Sequence, residues 1–214
     1  MRTDSEPVVR PALPAPARAP LAVVAGCAAV ALAVLCVLYA GQTAGTAFDA
    51  WVGAALVELR SPWRQFALVV DYTAEPVGGA LTIGSLVLVC LRLGHRRAAV
   101  LAVFGTGGSI ACTTMLKPLV GREINGGFLA FPSGHTATAT AVALVAMLVV
   151  VQRRRRGTIP LLVVTVAAAA AMAWSQVVLN AHYATDTLGG FCTALAVVPT
   201  VAWAVDRIAE RRQA

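Results

Sequence analysis

The feature that most constrains this chain is a series of long apolar runs separated by short polar connections, with arginine clusters beside alternate ones. Leu21 to Ala40 contains no charged residue and is about as long as the roughly 20 residues a bilayer-spanning helix needs. It also exceeds a signal-peptide core of about 7 to 15 residues, so a retained span is expected rather than a leader cleaved near Ala44 or Ala47. Further spans are readable at about 76–91, 98–116, 133–151, 158–179 and 187–205. The expected fold class is therefore all-α, a polytopic membrane helical bundle of about six transmembrane helices. Composition agrees: 58% of residues are hydrophobic and 13% charged, with a mean hydropathy of +0.77. A single soluble core of this size has no room for that much apolar surface.

Outside the spans, residues 1–20 hold Pro7, Pro11, Pro14, Pro16 and Pro20 among Ala and Arg, a composition too poor in apolar mass to pack. A disordered cytoplasmic tail is expected there. A single membrane domain follows over 21–206, and a short basic cytoplasmic tail over 207–214. The stretch 41–75 alternates charged and apolar residues and suits one or two interfacial helices. Arg92, Arg96 and Arg97, then Arg153 to Arg156, then Arg207, Arg211 and Arg212 mark alternate connections as cytoplasmic. Both termini then lie inside, which fits a multi-pass plasma membrane protein. The net charge of +7 is explained by this topology, because the cations sit beside spans rather than along one helix face, and no nucleic-acid partner is implied. The five cysteines are scattered through apolar runs and read as free thiols, neither a disulfide framework nor a metal set.

This topology sends three polar islands to the extracytoplasmic side: Lys117 to Glu123, Phe131 to His135, and Ser175 to Asp186. Ionisable groups at span ends are costly to place and are usually paired or functional. Pro132, Ser133 and Gly134 before an apolar run form a helix start, with Ser133 as N-cap, and the unpaired amides there make an anion pocket. His135 lies in the first turn. His182 and Asp186 stand four apart, so on a helical turn the carboxylate can orient the imidazole and leave its other nitrogen to attack phosphorus. Lys117 and Arg122 offer cations for phosphate oxygens. Taken singly, each island also reads as scaffolding: a capped helix, a loop staple, or cations snorkelling to headgroups.

Together, Lys117 to Arg122, Pro132-Ser133-Gly134-His135, and Ser175 with His182 and Asp186 resemble the three signature motifs of the type 2 phosphatidic acid phosphatase superfamily. The resemblance implies a lipid phosphate phosphatase that needs no metal or other cofactor, with His182 as nucleophile, Asp186 as its partner and His135 as general acid. Lys117, Arg122, Ser133, Gly134, Ser175 and Gln176 would bind the phosphate of a lipid substrate presented from the bilayer. Two positions depart from the pattern. Ile124-Asn125 stands where the family's first motif has Arg-Pro, and Gln176 stands where the third has Arg. Loss of two guanidiniums weakens the electrostatic cradle, so a weakened enzyme or a non-enzymatic lipid-phosphate-binding protein is the alternative reading.

Overall fold

The computed structural model of the chain describes residues 10–154 and 158–212. Among these described residues eight helices and one small hairpin succeed one another: α1 (Ala15–Tyr39), α2 (Ala47–Leu56), α3 (Trp63–Tyr72), α4 (Pro76–Arg92), α5 (Arg96–Val120), β1 (Glu123–Ile124), β2 (Phe128–Leu129), α6 (Gly134–Arg154), α7 (Thr158–Val178) and α8 (Ala184–Arg211). The fold is an all-α membrane bundle, as the apolar runs require. Among the described residues four helices, α1, α5, α6 and α8, are long and apolar enough to cross a bilayer. The expected count of about six also takes in α4, of 17 residues, which joins α3 at a 62° bend as a fifth candidate, and α7, which runs 21 residues from Thr158 to Val178. The α3–α4 bend depends on Gly78, where an added Cβ would lie 1.7 Å from the Tyr72 carbonyl oxygen.

Helices α6 and α8 form the centre, packed on each other, with α5 against both, α1 on α8, and α7 on α6. Their shared core contains Leu144, Val145 and Leu148 of α6, Ala194 and Val198 of α8, and Leu101 of α5. Outward-facing Val30, Val37, Leu81, Phe104 and Val163 remain exposed. Such a ring of apolar side chains is what lipid contact accommodates and water does not.

The terminal segments differ from expectation. Residues 1–9 and 213–214 lie outside the described residues, as do Arg155 and Arg156 of the basic cluster. Residues 10–14, placed within the disordered tail from composition, are instead tied to α8: the backbone N–H groups of Ala12 and Leu13 donate to Asp206 at 2.7 and 2.9 Å, and α1 starts at Ala15. Asp206 is also paired with Arg97 at 3.1 Å. Backbone donation to a buried carboxylate, invisible to composition, supplies the anchor that the prolines do not. Likewise α8 continues through residues 207–211, where a short tail was expected.

Candidate active site

The ends of α5, α6, α7 and α8 bring the three polar islands together, and local backbone chemistry explains each placement. Helix α5 stops at Gly121, whose positive φ of 64° no β-carbon opposes, with its N–H bonded to the Lys117 carbonyl. The chain turns there and presents Lys117 and Arg122 on either side of the turn. Ser133 immediately precedes α6, and its hydroxyl accepts the Thr136 N–H at 3.4 Å, the expected capping role. Helix α8 packs closely on this start: an added Cβ at Gly190 would lie 2.2 Å from the Ser133 carbonyl oxygen. The Ser133 N–H also donates to the Asp186 carbonyl at 3.0 Å. Helix α7 ends where Asn180 takes a left-handed φ of 55° and the Ala181 N–H closes on the Gln176 carbonyl at 2.9 Å. That turn delivers His182 to the mouth of α8.

His182 is buried and its Nδ1 faces Asp186 Oδ2 at 3.7 Å. This is an electrostatic contact beyond hydrogen-bond length, and it leaves Nε2 as the nitrogen directed elsewhere. Burial lowers the His182 pKa below its ordinary value; Asp186 opposes the shift, while Lys117 and His135 add to it. That direction favours the neutral imidazole, and Lys117 and His135 lie near enough to contribute to it. Lys117 is half-buried, and its ammonium donates to the Leu129 carbonyl at 3.0 Å.

Arg122 takes a different place from the one its motif suggests. Its side chain is 0% exposed and joins Asp186 at 2.6 Å on one side and Asp49 at 2.8 Å on the other. It also donates to the Thr185 hydroxyl at 2.7 Å, and its guanidinium lies 4.2 Å from the Tyr39 ring centroid and 4.7 Å from that of Tyr183. The guanidinium is thus committed to two carboxylates between two rings, behind Asp186 and closed to solvent. Asp186 itself accepts the Tyr183 N–H through Oδ2 at 2.8 Å, so both oxygens are held. Ser175 is also turned away, bonded to the Met172 carbonyl of its own helix at 3.0 Å.

Asp49, in the first turn of α2, closes this network. It accepts the Thr185 N–H at 2.9 Å, the Thr185 hydroxyl at 2.9 Å and the Thr46 N–H at 2.9 Å. Burial works to raise its pKa, but these bonds, with Arg122, outweigh that and leave the carboxyl below its ordinary value. A cavity of about 430 Å³ lined by Asp49, Gly53, Val57, Asn180, His182 and Tyr183 opens between α2 and His182.

The two departures from the motif pattern acquire distinct roles. Ile124 is buried, and Asn125 clamps the hairpin to the α7–α8 loop, donating to the Asn180 carbonyl at 2.7 Å and accepting from its amide at 3.2 Å. Gln176, fully buried, donates to Asp71 of α3 at 2.6 Å. Asp71 and Glu75 in turn stand 3.6 and 3.5 Å from His135 Nε2. Neither acid, nor Asp49, stood out in the sequence. Asp71 and Glu75 did carry a faint signal, since an i,i+4 pair of carboxylates in a mainly apolar stretch repels itself unless a third group joins it. For Asp49 the local signal is a Thr46-x-x-Asp49 capping box, which speaks only for the start of α2.

A family model described as the PAP2 superfamily matches residues 98–209, just over half of the chain. Among solved structures, the crystal structure of a transmembrane PAP2-type phosphatidylglycerolphosphate phosphatase from Bacillus subtilis matches with a TM-score of 0.66 and 18% identity, over 86% of this chain and 96% of that one. At that identity the likeness is one of fold. No curated protein matches at a significant level.

Proposed function

Because the chain belongs to the PAP2 superfamily, we propose that its polar end is the active site of an integral-membrane phosphatase acting on a phosphorylated lipid, a polyprenyl or glycerolipid phosphate. The observation that carries this reading is the convergence of a buried His182, its partner Asp186 and a second histidine, His135, at one end of the bundle.

In the first step His182 Nε2 attacks phosphorus in line, forming a P–N bond as the P–O bond to the lipid breaks, and His135 donates a proton to the departing oxygen. Asp186 stabilises the imidazolium character that develops on His182. In the second step water attacks the phosphohistidine, His135 takes its proton, and phosphate leaves with His182 restored. Neither step calls for a metal ion. Lys117, Ser133 and the Gly134 amide at the α6 start offset charge on the equatorial oxygens, with the positive end of the helix dipole behind them.

A site at the span ends lies at headgroup depth, so the phosphate can enter while the lipid tail stays in the bilayer. The arginine clusters favour an extracytoplasmic site in the plasma membrane, with both termini inside. The test is hydrolysis by the purified chain in detergent with a chelator present, screened over polyprenyl phosphates, polyprenyl-linked sugar phosphates and phosphatidate-type lipids. Release of phosphate from one class, lost in His182→Ala, supports the reading. Lipid-phosphate binding without turnover in the wild type would replace it with the non-enzymatic one.

A further inference from the structure

The side of the site where the motif arginine is replaced by Gln176 is acidic. Asp71 at the end of α3 and Glu75 at the start of α4 approach His135 Nε2 at 3.6 and 3.5 Å. That nitrogen is buried and makes no hydrogen bond. The three ligand atoms lie within 4.8 Å of one another. A tetrahedral ion held about 2.0–2.2 Å from each ligand sets such atoms roughly 3.3–3.6 Å apart. The two histidine–carboxylate separations are too long for hydrogen bonds and match that spacing.

Gln176 supplies an independent sign. It is fully buried, its amide nitrogen lies 2.6 Å from Asp71 Oδ1, and its oxygen has no hydrogen-bond partner. Its donated bond fixes the Asp71 carboxylate that faces His135, the kind of outer support that orients a metal ligand. Charge points the same way. The segments 41–75, 117–132 and 180–186 at this end of the bundle carry six carboxylates, Asp49, Glu58, Asp71, Glu75, Glu123 and Asp186, against four permanent cations, Arg60, Arg64, Lys117 and Arg122. The formal excess of two negative charges is what one divalent ion neutralises.

We propose that Asp71, Glu75 and His135, with Gln176 holding Asp71 in place, form an inhibitory site for a borderline divalent cation, Zn²⁺ by donor chemistry. One imidazole nitrogen with two carboxylates is a set Zn²⁺ accepts, and it binds mixed N/O sites more tightly than Mn²⁺ does. The ion takes the Nε2 lone pair that a proton would occupy, so the metal-bound and acid forms of His135 exclude each other. The consequence for turnover rests on the phosphatase reading above; the site itself does not.

The experiment titrates Zn²⁺ into the chelator-stripped, detergent-purified full chain against a chromophoric competitor, and measures lipid-phosphate hydrolysis over the same range. Saturable binding is expected, weakened at least tenfold in both Glu75→Gln and Asp71→Asn, with hydrolysis inhibited at the same midpoint in the wild type. In half-exposed Glu75→Gln, each preparation compared with and without Zn²⁺, the inhibition midpoint shifts by the factor seen in binding. No binding, binding unchanged in both variants, or stimulation of turnover by Zn²⁺ overturns the proposal. Binding at this site in a protein without phosphatase activity sinks the proposed function and leaves the cation site standing. Turnover without binding does the reverse.

Discussion

The Arg122 guanidinium meets the Asp186 carboxylate at 2.6 Å with both side chains fully removed from solvent. Asp49 balances the second edge of the same guanidinium, so three charges are fixed in a row that ends at His182. Such a row is costly to bury but directional: its geometry sets where the carboxylate points. Removing a single partner leaves an uncompensated charge.

Arg122→Ala should therefore destabilise the protein by about 3–5 kcal/mol, as breaking a buried ion pair does. Asp49→Asn, which keeps shape and most hydrogen bonds, should cost less stability and still lower kcat through a loosened Arg122. Thermal unfolding and kinetics in one detergent check both. Full activity in a folded Asp49→Asn protein would show that Asp186 needs no such support.

His182→Ala should abolish turnover and the trapped phosphoenzyme. His135→Ala should slow release of an ordinary lipid alcohol while still forming phosphoenzyme from a substrate with an activated leaving group. Quenched incorporation of labelled phosphate distinguishes the two variants, and near-normal activity in His182→Ala removes the mechanism.

The His182 pKa is lowered, and its neutral form is the nucleophile, so kcat/KM should persist as pH falls below about 6.5, the ordinary histidine value. It should be lost only as pH drops through the depressed pKa. Lys117 contributes to the depression. In Lys117→Met the acid limb should therefore move up in pH, whatever happens to the maximum rate. A limb unmoved, or moved down, contradicts the assignment of His182 as nucleophile.

Gln176→Arg alone should bring little gain, because Asp71, at 2.6 Å from the present amide, is placed to capture the new guanidinium. Combined with Asp71→Asn, the arginine becomes available to phosphate, and turnover of a lipid monophosphate should rise, a charge-assisted bond being roughly twice as strong as a neutral one. If the native substrate carries an uncharged headgroup that Gln176 reads, the double variant should lose activity on it while gaining on the simple monophosphate. No change with either substrate would place Gln176 outside the site.

Cysteines introduced at Gly126 and Ala184 should react with an impermeant thiol reagent from outside the cell, and one at Gly94, in the α4–α5 connection, only after permeabilisation. The reverse pattern would put the site on the cytoplasmic face.

Sequence alone determined the membrane class, the approximate extent of α1 and α4 to α8, and the islands holding Lys117, Ser133, His135, His182 and Asp186. These follow from local rules: apolar length, capping residues, and spacing along one helix turn. Only the tertiary structure decided that Arg122 stands behind Asp186 between Asp49 and two tyrosines, that Gln176 answers to Asp71, and that Asp206 holds the chain at Ala12 and Leu13. Each of these joins residues far apart in the chain. A buried charge selects its partner by position in the packed bundle, because burial without a partner is costly wherever that partner lies in the sequence.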